Sequence, residues 1–462
     1  MRKLAVLLSF TAAACTVGED FSRPALYNDS VIKQELALKN GTQPSKSWYA
    51  LFGDEQLNIL IEQGLKNSTD IEQAIAILRQ ARAELKISQA GFLPQINARG
   101  GYNYQKNSKN IGPTADTHYY NAGFDASWEL DIWGKGRRQD EAAAAMLKAE
   151  EYSLNQVKNV VAAEIASDYV NLKLAVEKLR IAKQNLALQR DIFGVVKSKY
   201  QSGLTDDIAY NQAEYLLNST ETQIPQLQSQ VEQYKNALAV LSGVLPSQLP
   251  LDSEKRSPIF SNAYQYNIKA MYNLPASVIR QRPDVAAAEQ NLAAQNALVG
   301  AAVADLYPNV SISALWGYAA SSGNSLFNSK SQGYSYEPLL SLPLLDWTRL
   351  QNQLNKQKYQ KQEAFAVYKK TVLTAVGELK NAMANVQNEL KRNRLQNRAL
   401  ANMNKVVAAS SEKYRSGLIE FSDFLTMEQN RLQAQNSSLE SKAGIFQNLI
   451  AYYKASGGGY LL

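Results

Sequence analysis

After Pro94 the chain alternates strictly. Ile96, Ala98, Gly100, Tyr102 and Tyr104 occupy even positions against Gln95, Asn97, Arg99, Gly101 and Asn103, a two-residue period that predicts a strand with one apolar face. The period returns with Tyr120, Ala122, Phe124, Ala126, Trp128, Leu130 and Ile132 on one face and Asn121, Gly123, Asp125, Ser127, Glu129 and Asp131 on the other. A loop rich in Asn, Lys, Gly and Pro separates the two runs. Further on, Val310, Ile312, Ala314, Trp316 and Tyr318 oppose Asn309, Ser311 and Ser313, and Tyr334 to Leu344 continue the pattern more weakly. Four strands are predicted, in hairpins over about 95–132 and 308–346.

Elsewhere the spacing of apolar residues is three or four. Gln56 to Phe92 is rich in Ala, Ile, Leu and Gln and lacks proline until Pro94, which cannot extend a helix. Lys135 to Tyr200 has no proline either, and at 1.5 Å per residue it would form a helix of about 100 Å. Gly203 then permits the left-handed backbone that closes a helix, and the chain returns from Asp207 to Gly243. The same succession is expected over Ala276–Leu306, Thr348–Tyr414 and Glu420–Ser456.

A constant offset of 214 relates the two series. It carries Asp70 to Asp284, Pro94 to Pro308, Trp133 to Trp347 and Glu164 to Glu378, and it lays Lys199-Tyr200-x-Ser202-Gly203-Leu204 on Lys413-Tyr414-x-Ser416-Gly417-Leu418. Two tandem structural repeats follow, over 56–244 and 276–457. Residues 245–275, with Pro246, Pro250, Pro258 and Pro275, read as an irregular connecting segment. Residues 15–55 form a lead-in arm and 458–462 a short tail. Each long helix nearly matches in length the helix returning from its turn plus the shorter helix before its hairpin, so the short helices are expected to stack end to end.

Composition narrows the chemistry. One histidine and one cysteine exclude zinc clusters, disulfide frameworks and a Cys–His catalytic pair. His118, among tyrosines and polar residues, reads as a surface or loop residue. Lys and Arg number 49 against 42 Asp and Glu, without a basic block or stripe, which gives nucleic-acid binding no support. No acid, base and nucleophile converge in the sequence, so no catalytic residue, metal or cofactor is assigned.

The first 14 residues have the form of an export signal: Arg2 and Lys3, an apolar run from Leu4 to Phe10, then small residues before Cys15. A lone cysteine there resembles a bacterial lipoprotein signal, with Cys15 acylated as the mature N-terminus, although Ala12 replaces the usual leucine. Thr16 in second place points to the outer membrane. No later run reaches the roughly 18 apolar residues of a membrane helix, so any span is made by strands.

Strands of about ten alternating residues suit a wall between lipid and a watery lumen, with Tyr102, Phe124, Trp128 and Trp316 facing lipid. A strand pair half-buried on a soluble core is the other reading of the alternation. Against it stand the long helices, which have no other sheet to cover, and Trp133 and Trp347, which end the hairpins where interface aromatics stand. An open sheet edge costs several kcal/mol per unpaired backbone group in hydrocarbon, so four strands require oligomerisation. Two chains give eight strands, whose interior side chains fill; three give twelve and leave a pore.

The residues resemble the TolC-like outer-membrane factors, specifically the lipoprotein channels that serve resistance-nodulation-division pumps. The resemblance rests on Leu274-Pro275, the run from Val278 through Arg282-Pro283-Asp284-Val285 to Leu292, and Ala301 through Tyr307-Pro308. It rests also on Cys15-Thr16-Val17-Gly18, on Phe21-Ser22-Arg23-Pro24, on Trp128 to Gly134 and on Tyr-x-Ser-Gly-Leu in both turns. It implies a homotrimer with a twelve-stranded outer-membrane β-barrel, four strands per chain, continued by a long periplasmic α-helical barrel. It implies a passive duct that receives small molecules from an inner-membrane pump through a periplasmic adaptor. The adaptor would dock on the tips, Tyr200, Ser202, Gly203 and Leu204 with Tyr414, Ser416, Gly417 and Leu418.

Asp206 and Asp207 beyond the first tip, and Glu420 and Asp423 beyond the second, are the candidate gate. Asp423 matches a constriction aspartate of some family members, whereas Ser422 and Thr426 stand where many pump-linked members have Leu and Asp. The same acids could equally serve only to favour the N-termini of the returning helices. A type I secretion conduit shares this fold, and a surface-attached coiled-coil adhesin accounts for long helices without the hairpins.

Overall fold

The computed structural model describes residues 16–39, 41, 45–106, 108, 110, 116–252, 257–262 and 271–459. The export signal, Cys15, parts of the first hairpin loop and of the connecting segment, and the last three residues of the tail lie outside them. The chain divides into two compact units. One comprises Met1–Pro24, Ile77–Glu151 and Ala287–Lys369, the other Ala25–Ala76, Tyr152–Ala286 and Lys370–Leu462.

In chain order the helices are α1 (Asp29–Glu35), α2 (Glu55–Asn67), α3 (Thr69–Ala90), α4 (Lys135–Gln201), α5 (Asp207–Leu241), α6 (Ile259–Asn262), α7 (Pro283–Ala304), α8 (Trp347–Arg415) and α9 (Phe421–Ala455). The strands are β1 (Gln95–Gln105), β2 (Thr117–Leu130), β3 (Asn309–Ala320) and β4 (Gln332–Ser341). Adding 214 to the bounds of α3 gives those of α7, and adding it to those of α5 gives those of α9. His118, expected on a surface or in a loop, is an exposed residue within β2.

Two helix expectations need correction. The stretch Gln56–Phe92 is two helices, because Ser68 leaves α2 with an extended ψ of 131° and α3 starts at Thr69, its first turn carrying Asp70 and Glu72. Acids there favour a helix N-terminus. The stretch expected to begin at Ala276 instead opens with a single 3-10 turn, Ala276–Val278, and α7 starts at Pro283. Proline lacks an N–H and presets φ, so it suits the first helical position and disfavours helix before it. Pro225, finally, lies inside α5, where it leaves one carbonyl of the preceding turn without its usual donor.

The four strands form one antiparallel sheet in the order β1-β2-β3-β4. Register keeps the alternation coherent across all of them. Ala98, Phe124, Trp316 and Tyr334 lie side by side on one face, and Asn97, Asp125, Leu315 and Ser335 on the other. A slip of one residue would invert every side chain, so this agreement is what fixes the pairing. On the polar face Arg99, Gly123, Gly317 and Gly333 form a single row. The backbones close up there: a Cβ on Gly123 would lie 2.5 Å from the Trp316 carbonyl oxygen and 2.7 Å from the Gly317 Cα. Arg99, at the end of the row, pairs with Asp125.

The other unit is centred on aromatic and aliphatic burial. Trp48 stacks on Tyr453 at 5.1 Å and Phe52 meets Phe446 edge-on at 5.2 Å, with Trp48 and Phe52 fully buried. Asp54, also buried, joins several elements here: one carboxylate oxygen accepts from Gln56 N and Leu57 N to cap α2, the other from the Tyr169 and Ser257 hydroxyls. Burial, then the Asp54 charge, pushes the Tyr169 phenol well above its ordinary range, so it stays a donor.

In both repeats the helix returning from the tip ends where the pre-hairpin helix begins. Gly243, just past α5, packs so tightly on Asn67 that a Cβ would come within 2.1 Å of its carbonyl oxygen. In the second repeat the buried Arg282, one residue before α7, donates to the Ala455 carbonyl at the end of α9 (2.8 Å) while pairing with Asp284 and Glu378.

The glycine row yields a paired test. Gly123→Ala is expected to lower the yield of folded, heat-modifiable protein in the outer membrane severalfold, since overpacking of this kind costs about 1–3 kcal/mol. Gly333→Ala, in the same row with nothing within 4 Å of the added methyl, is expected to match wild type on the same gel.

Candidate functional site

The residues singled out from the sequence fall into three places. The first is the apolar face of the sheet. Tyr102, Phe124, Trp128 and Trp316 all lie on it, paired across strands: Tyr102 with Tyr120 at 4.8 Å and Phe124 stacked on Trp316 at 6.2 Å. Among the described residues its large side chains stand exposed. Tyr334 and Tyr336 are 77% and 76% exposed, a condition that large aromatics in a contiguous patch do not keep in a water-soluble monomer. The opposite face carries Asn97, Arg99, Asn121, Asp125, Ser127, Glu129 and Glu337, which solvate readily.

The second place is the junction between the strands and the helices of that unit. Trp128 donates its indole N–H to the Phe92 carbonyl (3.0 Å), and Trp133 donates to the Pro308 carbonyl (2.7 Å) while stacking on Tyr307. Trp347, its counterpart at the other hairpin, is half exposed. The residues that follow Cys15 are bound here. Val17 N–H donates to the Trp133 carbonyl, Gly134 with φ +80° leaves room for Thr16, and the buried Arg138 bonds the carbonyls of Val17 and Gly18 and the Asp20 carboxylate. Arg23 pairs with Glu289, Asn296 donates to the Glu19 carbonyl, and Phe21 packs on alanines of α4 and α7. Arg138 was not singled out from the sequence. The one available signal is its position, the second of two consecutive arginines just after the Trp133-Gly134 strand exit, and its pairing with Glu141 three residues on gives no hint of the arm.

The third place is the pair of helix turns, both in the other unit. Each closes identically: Leu204 N–H reaches the Lys199 carbonyl and Leu418 N–H the Lys413 carbonyl, both at 2.8 Å, with Gly203 at φ +66° and Gly417 at φ +72°. This six-to-one bond satisfies carbonyls that a helix end leaves open, and glycine takes the positive φ without a Cβ penalty. Ser202 and Ser416 each donate back one turn, to Ser198 and Glu412, and Leu204 and Leu418 stand about three-quarters exposed. The two turns meet. Val196, Ala209 and Ala213 of the first pack with Phe421, Phe424 and Leu425 of the second, and the Lys199 ammonium lies 4.9 Å from the centre of the Tyr414 ring.

The four candidate carboxylates differ in their partners. Asp206 caps α5 through Ala209 N (2.9 Å), and Asp207 accepts from the Tyr200 hydroxyl, a bond that holds that phenol above its ordinary range. Glu420 is the backbone N-cap of α9 and takes a long bond from Ser422. Asp423, in the first turn of α9, is exposed. The Lys199–Tyr414 contact joins side chains 215 positions apart, and only the repeated Lys-Tyr motif marks either of them in the sequence.

Polar helix faces line a cavity of about 790 Å³ among α4, α5 and α9, including Asn185, Gln223, Gln226, Gln433 and Asn436. Among the described residues no group of His, Cys, Asp and Glu is placed to hold a metal ion, and no helix is long and apolar enough to cross a membrane.

Comparison with known proteins places this arrangement. The chain is 28% identical to the cation efflux system protein CusC of Escherichia coli O6:H1 over 465 residues, covering 98% of each. It is 26% identical to the probable outer membrane lipoprotein SilC of Salmonella typhimurium, covering all of this chain and 99% of SilC. Its fold is similar to the solved structure of the outer-membrane channel OprN, with a TM-score of 0.86 and 28% identity over 96% of this chain and 100% of OprN. The family model described as outer membrane efflux protein matches twice, over residues 60–244 and 274–458, each match covering one helix-hairpin-helix series. Two matches that take in most of the chain, on a sheet and helices of the same fold, make it a member of the outer membrane efflux protein family.

Proposed function

We propose that three copies of this chain close their sheets into one twelve-stranded barrel in the outer membrane and carry its lumen into the periplasm between their long helices. The duct is passive. Small molecules reach it from an inner-membrane pump through a periplasmic adaptor, and the chain itself has no enzymatic activity. One observation carries this reading: a four-stranded sheet with one mainly apolar face on which Tyr102, Phe124, Trp316, Tyr334 and Tyr336 stand exposed, one mainly polar face and two open edges. Such a sheet satisfies its backbone in hydrocarbon only when closed, and twelve strands leave a pore where eight do not. Efflux in the name of CusC favours small-molecule export over polypeptide secretion.

Attachment by a lipid on Cys15 belongs to the same proposal. Thr16, the next residue, is held against Gly134 at the end of the strand exit, so an acyl chain on its neighbour would start beside the aromatic junction of the barrel. SilC is named as a probable lipoprotein. The two turns, with Leu204 and Leu418 outermost, are the surface proposed for the adaptor. Of the candidate gate residues, Asp423 is the one proposed to act on ions, since Asp206 and Asp207 are engaged within their own hairpin.

Three measurements test these statements. Phe124→Arg places a charge on the proposed lipid face, where it costs about 2–4 kcal/mol near the midplane, and is expected to block outer-membrane insertion. Ser127→Arg, on the polar face, is expected to insert and to give trimers by light scattering; equal behaviour of the two, or a monomer, overturns the barrel. Radiolabelled palmitate is expected to enter wild type and not Cys15→Ser, and labelling of both removes the lipid anchor. In planar bilayers wild type is expected to show small conductance blocked by divalent cations, because like charges repeated around a narrow opening focus the field. Asp423→Ala should weaken that block, and unchanged block leaves Asp423 only its place in a helix turn.

A further inference from the structure

The two ends of the sheet differ in charge. Where the strands meet the helices, cations are matched by carboxylates: Lys135 pairs with Asp305, Arg137 with Asp131 and Arg349 with Asp346. At the other end, the loops over 106–116 and 321–331 hold Lys106, Lys109 and Lys330 against a single acid, Asp116. That acid accepts from the Tyr104 hydroxyl at 3.1 Å. Lys106, directly after β1, His118, near the start of β2, and Lys330 are exposed and have no carboxylate partner among the described residues.

The apolar face of the sheet leads up to these groups. Aromatic rings continue along it from Phe124 to Trp316 (6.2 Å), from Trp316 to Tyr318 (5.7 Å) and from Tyr318 to Phe327 (5.6 Å), a loop residue that is 74% exposed. Lys330 stands three residues beyond Phe327 in the same loop. The loop is held in shape there: the Asn328 side chain accepts from Lys330 N, and Ser331 donates to the Ser325 carbonyl. In the first hairpin His118 lies directly opposite Tyr104, on the face that carries Tyr102 and Tyr120. A belt of rings below a margin of unpaired nitrogen donors suits the boundary where acyl chains give way to headgroups.

We propose that this margin binds the phosphate groups of outer-leaflet lipid headgroups. Lys106 and Lys330 supply charge to the phosphate oxygens, His118 donates one ring N–H, and Tyr104, Tyr318 and Phe327 lie against the first methylenes of the acyl chains. The proposal rests on the barrel described above, which brings lipid to this face. Both long helices leave from the opposite end of the strands, so these loops are at the end away from the periplasm. The lipid that fits is a glycolipid with more than one phosphate, because three chains bring nine loop lysines and three histidines to the rim against three acids.

Binding of a defined lipid tests this. Full-length trimers in nonionic detergent are given radiolabelled lipid A, a glucosamine lipid with two phosphates, or the same lipid after enzymatic dephosphorylation, and label per trimer is read after gel filtration. Exposed ion pairs are individually weak, so wild type is expected to retain about fivefold more of the phosphorylated lipid. The combined variant Lys106→Gln, His118→Gln, Lys330→Gln is expected to retain both lipids alike. Lys106→Arg with Lys330→Arg keeps the charge and is expected to match wild type. Excess inorganic phosphate at constant ionic strength is expected to leave the lipid bound; displacement makes this a site for small anions and overturns the proposal. Wild-type retention by the glutamine variant overturns it too, as does equal retention of the two lipids by wild-type trimers. The trimer stands in all three of those outcomes. Wild type that light scattering finds monomeric removes the barrel itself, and the lipid margin with it.

Discussion

Everything in the sheet-bearing unit answers to one constraint: a backbone N–H or carbonyl left without a partner in hydrocarbon costs several kcal/mol. A single chain meets that demand on three of its seams and leaves it unmet at β1 and β4. Because the chain is a tandem repeat, its two free edges are copies of two edges that already fit each other inside the molecule. The tight approach of Gly123 and Gly317 adds a second restriction, since no side chain fits at that one pair and the backbones draw close there.

Two buried arginines hold segments that have no regular structure to lean on. Arg138 collects carbonyls of the N-terminal arm, and Arg282 collects a helix-end carbonyl and two carboxylates at the start of α7. A buried guanidinium is tolerable only with its donors satisfied, and removing one partner of such a pair typically costs about 3–5 kcal/mol. Each therefore restricts its segment to one path. The repeats differ where Arg282 acts: Ser68 continues the chain from α2, and its counterpart Arg282 receives it from the connecting segment.

The features readable from the residues are those encoded locally. Alternation from Ile96 to Tyr104 and from Tyr120 to Leu130 marks strands because period two is written into neighbouring positions, and Pro94 and Pro308 stop helices by their own covalent structure. The break at Ser68 had a local signal in the run Asn67-Ser68-Thr69-Asp70, residues that favour a helix start, but the absence of proline or a second glycine beside it let the stretch be read as one helix. Pro225 shows the converse, a helix breaker held within the 35 residues of α5. At the candidate sites the turn motif was legible in duplicate. The packing of one turn on the other, through Lys199 and Tyr414 and through Phe421 and Phe424, depends on distant parts of the chain and leaves no local mark. The unequal engagement of Asp206, Asp207 and Asp423 likewise follows from cap geometry that sequence spacing does not express.

The binding of the arm by Arg138 also determines where the molecule bears load. Val17 and Gly18 are tied to Trp133 and Arg138, Glu19 to Asn296, and Arg23 to Glu289, so successive residues are fastened to elements from both repeats. Tension applied at the N-terminus is spread over that ring of bonds, and it is spent in shear at the junction before any strand is peeled from its neighbour. The anchor proposed at Cys15 would then be pulled with the membrane surface while the strand pairing stays out of the path of the force.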